Sequence, residues 1–380
     1  MLIFSHYQIL EQVYESANSL IYRCLRNDDN QKVILKVLKE DYPSPEELTR
    51  YRQEYDIINH LAEVDGVINV YTLEKYQNTL VICLEDFGGL SLKQLLAQRQ
   101  LSLPESLQLA IQITDILGQI HQQHIIHKDI NPSNLILNPT TGVLKIIDFG
   151  IATQFFREMP ILKNPNVLEG TLAYMSPEQT GRMNRSLDYR TDFYTLGVTF
   201  YELLTQKLPF DTSDAMALVH CLMAKKPPSP ADINSDIPRA VSDIIMKLLE
   251  KTAEKRYQSA WGIKADLQAC EIAWRETGLI EPFTLAQQDI AASFQIPQKL
   301  YGRELEIKTL LAAFERVAHF SKSISKTEMM LIAGDSGMGK SVLVKELYKS
   351  LTEKRGYLIA GKFDQFQRNI PYRAIVNAFE

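Results

Sequence analysis

Cysteine is scarce and scattered: Cys24, Cys83, Cys221 and Cys270 are the only four, and no two form a CxxC pair. That spacing excludes a disulfide framework and a cysteine zinc site, and it fits a reducing compartment, so a cytoplasmic location is expected. No stretch reaches the ~18 apolar residues of a membrane span. The opening MLIFSHYQIL lacks both a basic start and a long apolar run, so no secretory leader is read and a soluble chain is expected. Charge of one sign is not in excess either. Lys and Arg total 41 against 46 Asp and Glu, a formal charge of -5, which gives no electrostatic ground for a nucleic-acid partner. Internal repeats and low-complexity tracts are also missing.

What remains is the composition of a globular protein, 45% hydrophobic and 23% charged, at a length of 380 residues that suits two domains. Residues 7–100 read as a sheet-rich lobe with strands in LIYRCL, KVILKVL and TLVICLEDF and one helical segment over 45–63. From Ser102 the pattern turns helical. Ser102 and Glu105 can form a capping box, Pro104 suits a first turn, and Ile113, Ile116, Leu117 and Ile120 recur at helical spacing. Further helices are expected over 190–206, 214–224, 237–251 and 259–275, divided by proline-bearing turns. Residues 276–299 have little periodicity and read as a linker. Beyond it, a helix (303–318), a strand (329–333), a Gly-rich turn, a helix (340–353) and a strand (357–361) make a βαβ pattern with parallel strands.

The chemistry gathers first around HKDINPSN, residues 127–134. Asp129 and Asn134 lie five apart, and KIIDFG places Asp148 after a short apolar strand. Two carboxylates and an amide carbonyl, brought together by a hairpin, suit a divalent metal holding phosphate and a hydroxyl held for attack. Three histidines, His121, His124 and His127, are spaced three apart. A metal cluster there would need one helical face to continue through the loop, and it is not favoured.

Here the chain resembles the eukaryotic-like Ser/Thr protein kinases over about residues 7–270, with the family's parts in family order. The resemblance implies an α+β bilobal protein kinase fold, with a β-rich N-lobe and a helical C-lobe, and ATP and Mg²⁺ as cofactors. By the same resemblance Lys36 of VILK holds the α/β-phosphates and Glu54 pairs with it. Ile34 and Glu85 border the adenine, Asp129 is the catalytic base, and Asn134 and Asp148 bind metal. GTLAYMSPE is the substrate-side loop, ending in Pro177-Glu178. Asp192 is the buried anchor of the catalytic loop, and Arg256 the partner of Glu178. Small-molecule kinases share the metal and base residues but are not expected to carry GTLAYMSPE, so a protein substrate is implied. Thr171 in that segment points to Ser or Thr as acceptor.

Three departures bear on activity. The phosphate-covering loop has Tyr14, Ser16 and Ser19 where the family has glycines, which should weaken close backbone approach to phosphate. Ile34 replaces a usual alanine and narrows the adenine pocket. Asn131 replaces a lysine, and loss of that cationic donor costs about 3–4 kcal/mol by analogy with oxyanion donors, although an amide can still donate a neutral hydrogen bond. Lys128 also stands for an arginine that grips an activation-loop phosphate. With Thr153 and Thr171 the only threonines between Phe149 and Pro177, the first very near the metal motif and the second on the substrate side, phosphorylation of that loop is not expected to be the main switch. An active but atypical Ser/Thr kinase and a catalytically weak, kinase-like regulatory scaffold both stay open.

A second nucleotide motif follows. GDSGMGKS, residues 334–341, fits GxxxxGK[ST]. Gly334, Gly337 and Gly339 let the loop wrap anionic oxygens, Lys340 reaches the β/γ-phosphates and Ser341 offers a hydroxyl to Mg²⁺. With LYGRELEIKTLLAAFERV before it, this part resembles AAA-related signal-transduction ATPases, which implies a partial α/β P-loop NTPase domain over 300–380. YLIAGKFD reads as its next strand, and the chain ends at AIVNAFE in an expected helix, so that domain is expected to be incomplete. The domains are thus 7–275 and 300–380 with a linker over 276–299. Their order resembles large bacterial sensor proteins, which implies C-terminal GAF and histidine-kinase domains as partners.

Overall fold

The computed structural model describes residues 6–154, 171–181, 187–290, 302–318 and 327–354, with short breaks at 17, 41, 213, 336–337, 348–349 and 352–353. Five antiparallel strands open it: β1 (Tyr7–Glu15), β2 (Ser19–Arg26), β3 (Lys32–Leu38), β4 (Val70–Tyr76) and β5 (Thr79–Glu85), in the order β1-β2-β3-β5-β4. β3 is central, and its alternate residues Val33, Leu35 and Val37 pack with Cys24, Val81 and Cys83 into a core on one face. The even residues Ile34 and Lys36 therefore face the other way. Helix α1 (Pro45–His60) lies across that face. Ser44 and Glu47 form a reciprocal capping box and Pro45 fills its first turn. Tyr51, Glu54 and Ile58, at i, i+3 and i+7, are its buried stripe, so Glu54 is carried toward Lys36.

The second lobe starts after β6 (Leu90–Ser91) and α2 (Leu92–Gln98) with α3 (Leu103–Gln122), whose Ser102–Glu105 capping box is the one read in the sequence. Ile113, Leu117 and Ile120 are fully buried along it. β7 (Ile125–Ile126), β8 (Leu135–Leu137), β9 (Leu144–Ile146) and β10 (Thr153–Gln154) frame the loops of the site, β6-β8-β9 and β10-β7 pairing antiparallel. Then come α4 (Arg190–Thr205), α5 (Ala215–Ala224), α6 (Pro230–Ile233), α7 (Arg239–Leu248) and α8 (Ala260–Thr277). α4 is buried almost all round, as befits a central helix. Gly197 lets it meet α7, since a Cβ there would stand 2.7 Å from the Leu248 Cβ. The four cysteines are free and buried. Among the described residues no helix is long and apolar enough to cross a membrane.

The segment read as a linker is in part built into the second lobe. Gly278, left-handed at φ +70, ends α8, and residues 279–290 turn back over it. Ile280 is buried, and Asp266 Oδ2 accepts from the Ala286 N–H at 2.8 Å. Asp289 accepts from the Gln258 N–H at 2.7 Å and the Ser259 hydroxyl at 2.8 Å, at the N-cap of α8. Its side chain fills the space a Cβ on Gly262 would need. Asp289→Ala is expected to lower the unfolding free energy by about 1–2 kcal/mol, because two donors at a helix start lose their acceptor. Denaturant titration followed by tryptophan fluorescence checks it.

After Tyr301 lie α9 (Glu304–Ala318) and α10 (Lys340–Lys345). The expected strand over 329–333 is not formed: the segment is irregular, with Met329 and Leu331 exposed. A strand exists only as a paired ladder, and the expected neighbour over 357–361 lies outside the described residues. The helix expected over 340–353 is described as one element only to Lys345.

Candidate active site

Lys36 on β3 meets Glu54 on α1 through two short contacts, Nζ donating to Oε1 at 2.6 Å and Oε2 at 2.8 Å, and donates also to Asp148 Oδ1 at 2.9 Å. Burial opposes the ammonium charge, but Asp148 and Glu54 outweigh it and hold Lys36 well above the ordinary lysine range. Lys36 in turn pulls the Asp148 carboxyl below its usual range. Burial pushes the Glu54 carboxyl upward, and the Lys36 ammonium works against that rise. Tyr51 completes the wall, its ring centroid 5.7 Å from Lys36 Nζ and its hydroxyl 2.8 Å from Ser19 Oγ.

Across the cleft, the catalytic-loop residues are fixed by one buried carboxylate. Asp192 on α4 accepts from the N–H groups of His127 (2.9 Å) and Lys128 (2.6 Å) and contacts His121 Nε2 at 2.8 Å. Two of the three spaced histidines are thus structural, and no group of three or more metal-ligating residues occurs among the described residues. Asp129 is surrounded by donors: the Thr171 N–H reaches Oδ1 at 3.1 Å, and Asn134 Nδ2 (3.0 Å) and the Thr171 hydroxyl (3.4 Å) reach Oδ2. Since Asn134 spends its amide nitrogen on Asp129, its oxygen is turned to other use. Asp148 keeps 45% of its side chain exposed. One carboxylate and one amide oxygen are a donor set that fits Mg²⁺, which takes one or two protein ligands and completes its shell with phosphates and water.

Asn131 is 2% exposed and already committed. Nδ2 donates to Asp129 O at 3.1 Å and Thr171 Oγ1 at 3.4 Å, while Oδ1 accepts from the Ser133 N–H at 2.9 Å. The free neutral donor expected from the sequence is therefore shared with the loop. Ile34, half-buried, faces Leu84 across the ladder. The Glu85 side chain is taken by Lys145 and by the Asn69 N–H. In the glycine-less loop, Ser16 Oγ accepts from the N–H groups of Ser19 (2.9 Å) and Asn18 (3.3 Å). Those amides are of the kind that would otherwise turn to phosphate. Ser16→Gly is expected to free them and tighten ATP binding by roughly 3- to 10-fold, read by calorimetric titration; an unchanged Kd would count against competition at this turn.

A family model described as the protein kinase domain matches residues 7–267. This chain belongs to the protein kinase family. A second model, the AAA ATPase domain, matches residues 299–380, so the kinase domain is followed by a P-loop ATPase-type domain. The chain is 30% identical over 360 residues to the hybrid signal transduction histidine kinase G of Dictyostelium discoideum, covering 72% of this chain and 10% of that protein. It is 31% identical over 266 residues to a protein of Clostridium perfringens named as a probable serine/threonine-protein kinase, covering 70% and 38%. To the serine/threonine-protein kinase PrkC of Bacillus subtilis it is 29% identical over 268 residues, covering 70% and 40%. The chain therefore spans two fifths or less of the length of these relatives.

In the kinase domain the sequence-named residues Lys36, Glu54, Asp129, Asn131, Asn134, Asp148 and Thr171 come together around the cleft. Outside it, Lys340 donates to the carbonyls of Gly334 (2.6 Å) and Asp335 (2.7 Å), and Gly339 takes the left-handed turn at φ +79 into α10. Gly337 and the side chain of Ser341 lie outside the described residues. Two contributors were not read from the sequence. Tyr51 is signalled only by its place on the Glu54 stripe, and Gln179, whose Nε2 donates to the Lys128 carbonyl at 2.9 Å, only by the S-x-x-Q capping-box pattern it makes with Ser176.

Proposed function

We propose that the kinase domain transfers the γ-phosphoryl of ATP·Mg²⁺ to serine or threonine of a protein, as an atypical kinase. The observation that carries this reading is the placement of Thr171 against Asp129, beside an intact Lys36–Glu54–Asp148 set. Asp129 would accept the proton of the acceptor hydroxyl, and Lys36 would meet the α/β-phosphates. When bound, Mg²⁺ on Asn134 and Asp148 would neutralise charge on the transferring group. The names of relatives such as PrkC favour a Ser/Thr acceptor. The name of the hybrid histidine kinase favours a multidomain signalling protein that carries a histidine-kinase domain, and the resemblance to large bacterial sensor proteins adds GAF domains, with the P-loop domain, through Lys340 and Ser341, as a second ATP site.

A second reading, a kinase-like scaffold that regulates the P-loop domain, is favoured by the Ser16 contacts and by the committed amide of Asn131. Incubation with γ-labelled ATP, Mg²⁺ and a generic basic protein separates the two. Transfer to serine or threonine that is lost in Asp148→Ala supports the enzyme; no transfer from a folded chain supports the scaffold.

A further inference from the structure

The peptide bond that leads into Asp129 is held at both ends. Lys128 sits at φ +70, a left-handed conformation rare for a residue with a side chain. Its N–H is held by Asp192, and its carbonyl accepts from Gln179 Nε2 at 2.9 Å. The next N–H, of Asp129, meets His127 Nδ1 at 3.2 Å. His127 Nε2 faces the Ile147 carbonyl at 3.1 Å, which requires a proton on Nε2 and leaves Nδ1 as the acceptor. The carbonyl end is thus held by a neutral side chain from another segment.

Gln179 has a second contact: Oε1 accepts from the Ser176 N–H at 2.9 Å. A carbonyl can only accept and a backbone N–H can only donate, so the two partners fix which way the amide lies. Ser176 and Gln179 belong to the turn that follows Thr171, the residue packed on Asp129. Residues 155–170 contain no serine, threonine or tyrosine, so that stretch has no phosphoacceptor with which to pin the substrate side to the catalytic loop.

We propose that Gln179 is a positioning residue: by bridging the Ser176 N–H and the Lys128 carbonyl, it sets Asp129 against the acceptor side of the cleft without a phosphate. The proposal rests on the phosphoryl-transfer reading above. Gln179 touches neither nucleotide nor acceptor and acts through the peptide it holds. Gln179→Glu separates its two contacts, because a carboxylate still accepts from Ser176 but cannot donate to Lys128. Gln179→Ala removes both.

In the chain of residues 1–380, Gln179→Glu is expected to lower kcat about 10- to 100-fold while leaving KM for ATP and the melting temperature unmoved. Hydrogen exchange over residues 127–134 should quicken. As pH falls toward the carboxyl range, a protonated Glu regains a donor, so the deficit relative to the unsubstituted chain at the same pH should narrow; Gln179→Ala should show no such recovery. An unchanged kcat with unchanged exchange would overturn the proposal, as would a loss of kcat matched by equal losses in ATP affinity and melting temperature. If the unsubstituted chain transfers no phosphate, the phosphoryl-transfer reading falls by itself. The exchange measurement then decides: quickened exchange in Gln179→Glu keeps the strut, and unchanged exchange removes it.

Discussion

Asp129→Asn is expected to lower phosphoryl transfer by roughly 10³-fold, within the range that general-base removal produces, while nucleotide affinity stays where it was. The two side chains have the same shape, so the loss is chemical. Asp129 meets donors on both oxygens, Thr171 N–H on one and Asn134 Nδ2 with the Thr171 hydroxyl on the other. An amide can answer only one of those sides, and it cannot take up the proton of an incoming hydroxyl. The unanswered donor costs about 1–2 kcal/mol of local stability, too little to unfold a domain with this core. Label transfer, nucleotide titration and tryptophan fluorescence on one preparation separate the three effects. Retention of transfer within a few-fold would remove Asp129 as the base.

Residues whose roles depend on a fixed partner type were legible in the sequence, and residues whose roles depend on local geometry were not. Lys36 and Glu54 are paired in the sequence by the resemblance to the kinase family, and the inward face of β3 and the buried stripe of α1 are what bring them together in the structure. Asp192, Glu178 and Arg256 also take their roles from the resemblance, and the structure supplies the physical ground: each is a buried charge held by partners it needs. Asn131 is expected from the sequence to donate a neutral hydrogen bond, and spacing cannot show that its amide is shared among Asp129, Thr171 and Ser133. Ser16 is expected from the sequence to weaken close backbone approach to phosphate, but that its hydroxyl captures the loop's own amides cannot be seen in the spacing. Residues 279–290 carry no period of 2 or 3.6, so their packing on α8, made by Ile280, Leu285 and Ala286 together with the carboxylates Asp266 and Asp289, leaves no trace in pattern.

Arg256→Met should lower the unfolding free energy of the kinase domain by about 3–5 kcal/mol, the range for stripping one partner from a buried ion pair. All five guanidinium N–H groups are in use. Two meet the Glu178 carboxylate at 2.6 and 2.8 Å, and the rest meet the carbonyls of Arg190, Glu250 and Lys251 at 2.9, 2.8 and 3.3 Å. Methionine fills the volume and answers none of them, leaving Glu178 buried with the Thr191 hydroxyl at 2.9 Å. The pH dependence gives the effect a signature. Burial opposes the Glu178 charge, yet Arg256 holds its carboxyl below the ordinary range, so the intact pair contributes fully above the unfolded carboxyl's pKa and fades as pH falls through the folded one. Without Arg256, burial is opposed only by the Thr191 hydroxyl and a backbone hydrogen bond and raises that pKa, so the variant regains ground as the pH falls and Glu178 takes a proton. The deficit should be largest near neutral pH and shrink toward pH ~4.5, the ordinary glutamate range. Both tryptophans of the chain, Trp261 and Trp274, lie on α8, so denaturant titration by fluorescence follows this domain even with the P-loop domain attached. Combining Arg256→Met with Glu178→Gln should recover part of the loss, because the double variant buries no unpaired charge. A double variant as unstable as the sum of its parts would place the energy of Arg256 in its three carbonyl contacts and not in Glu178.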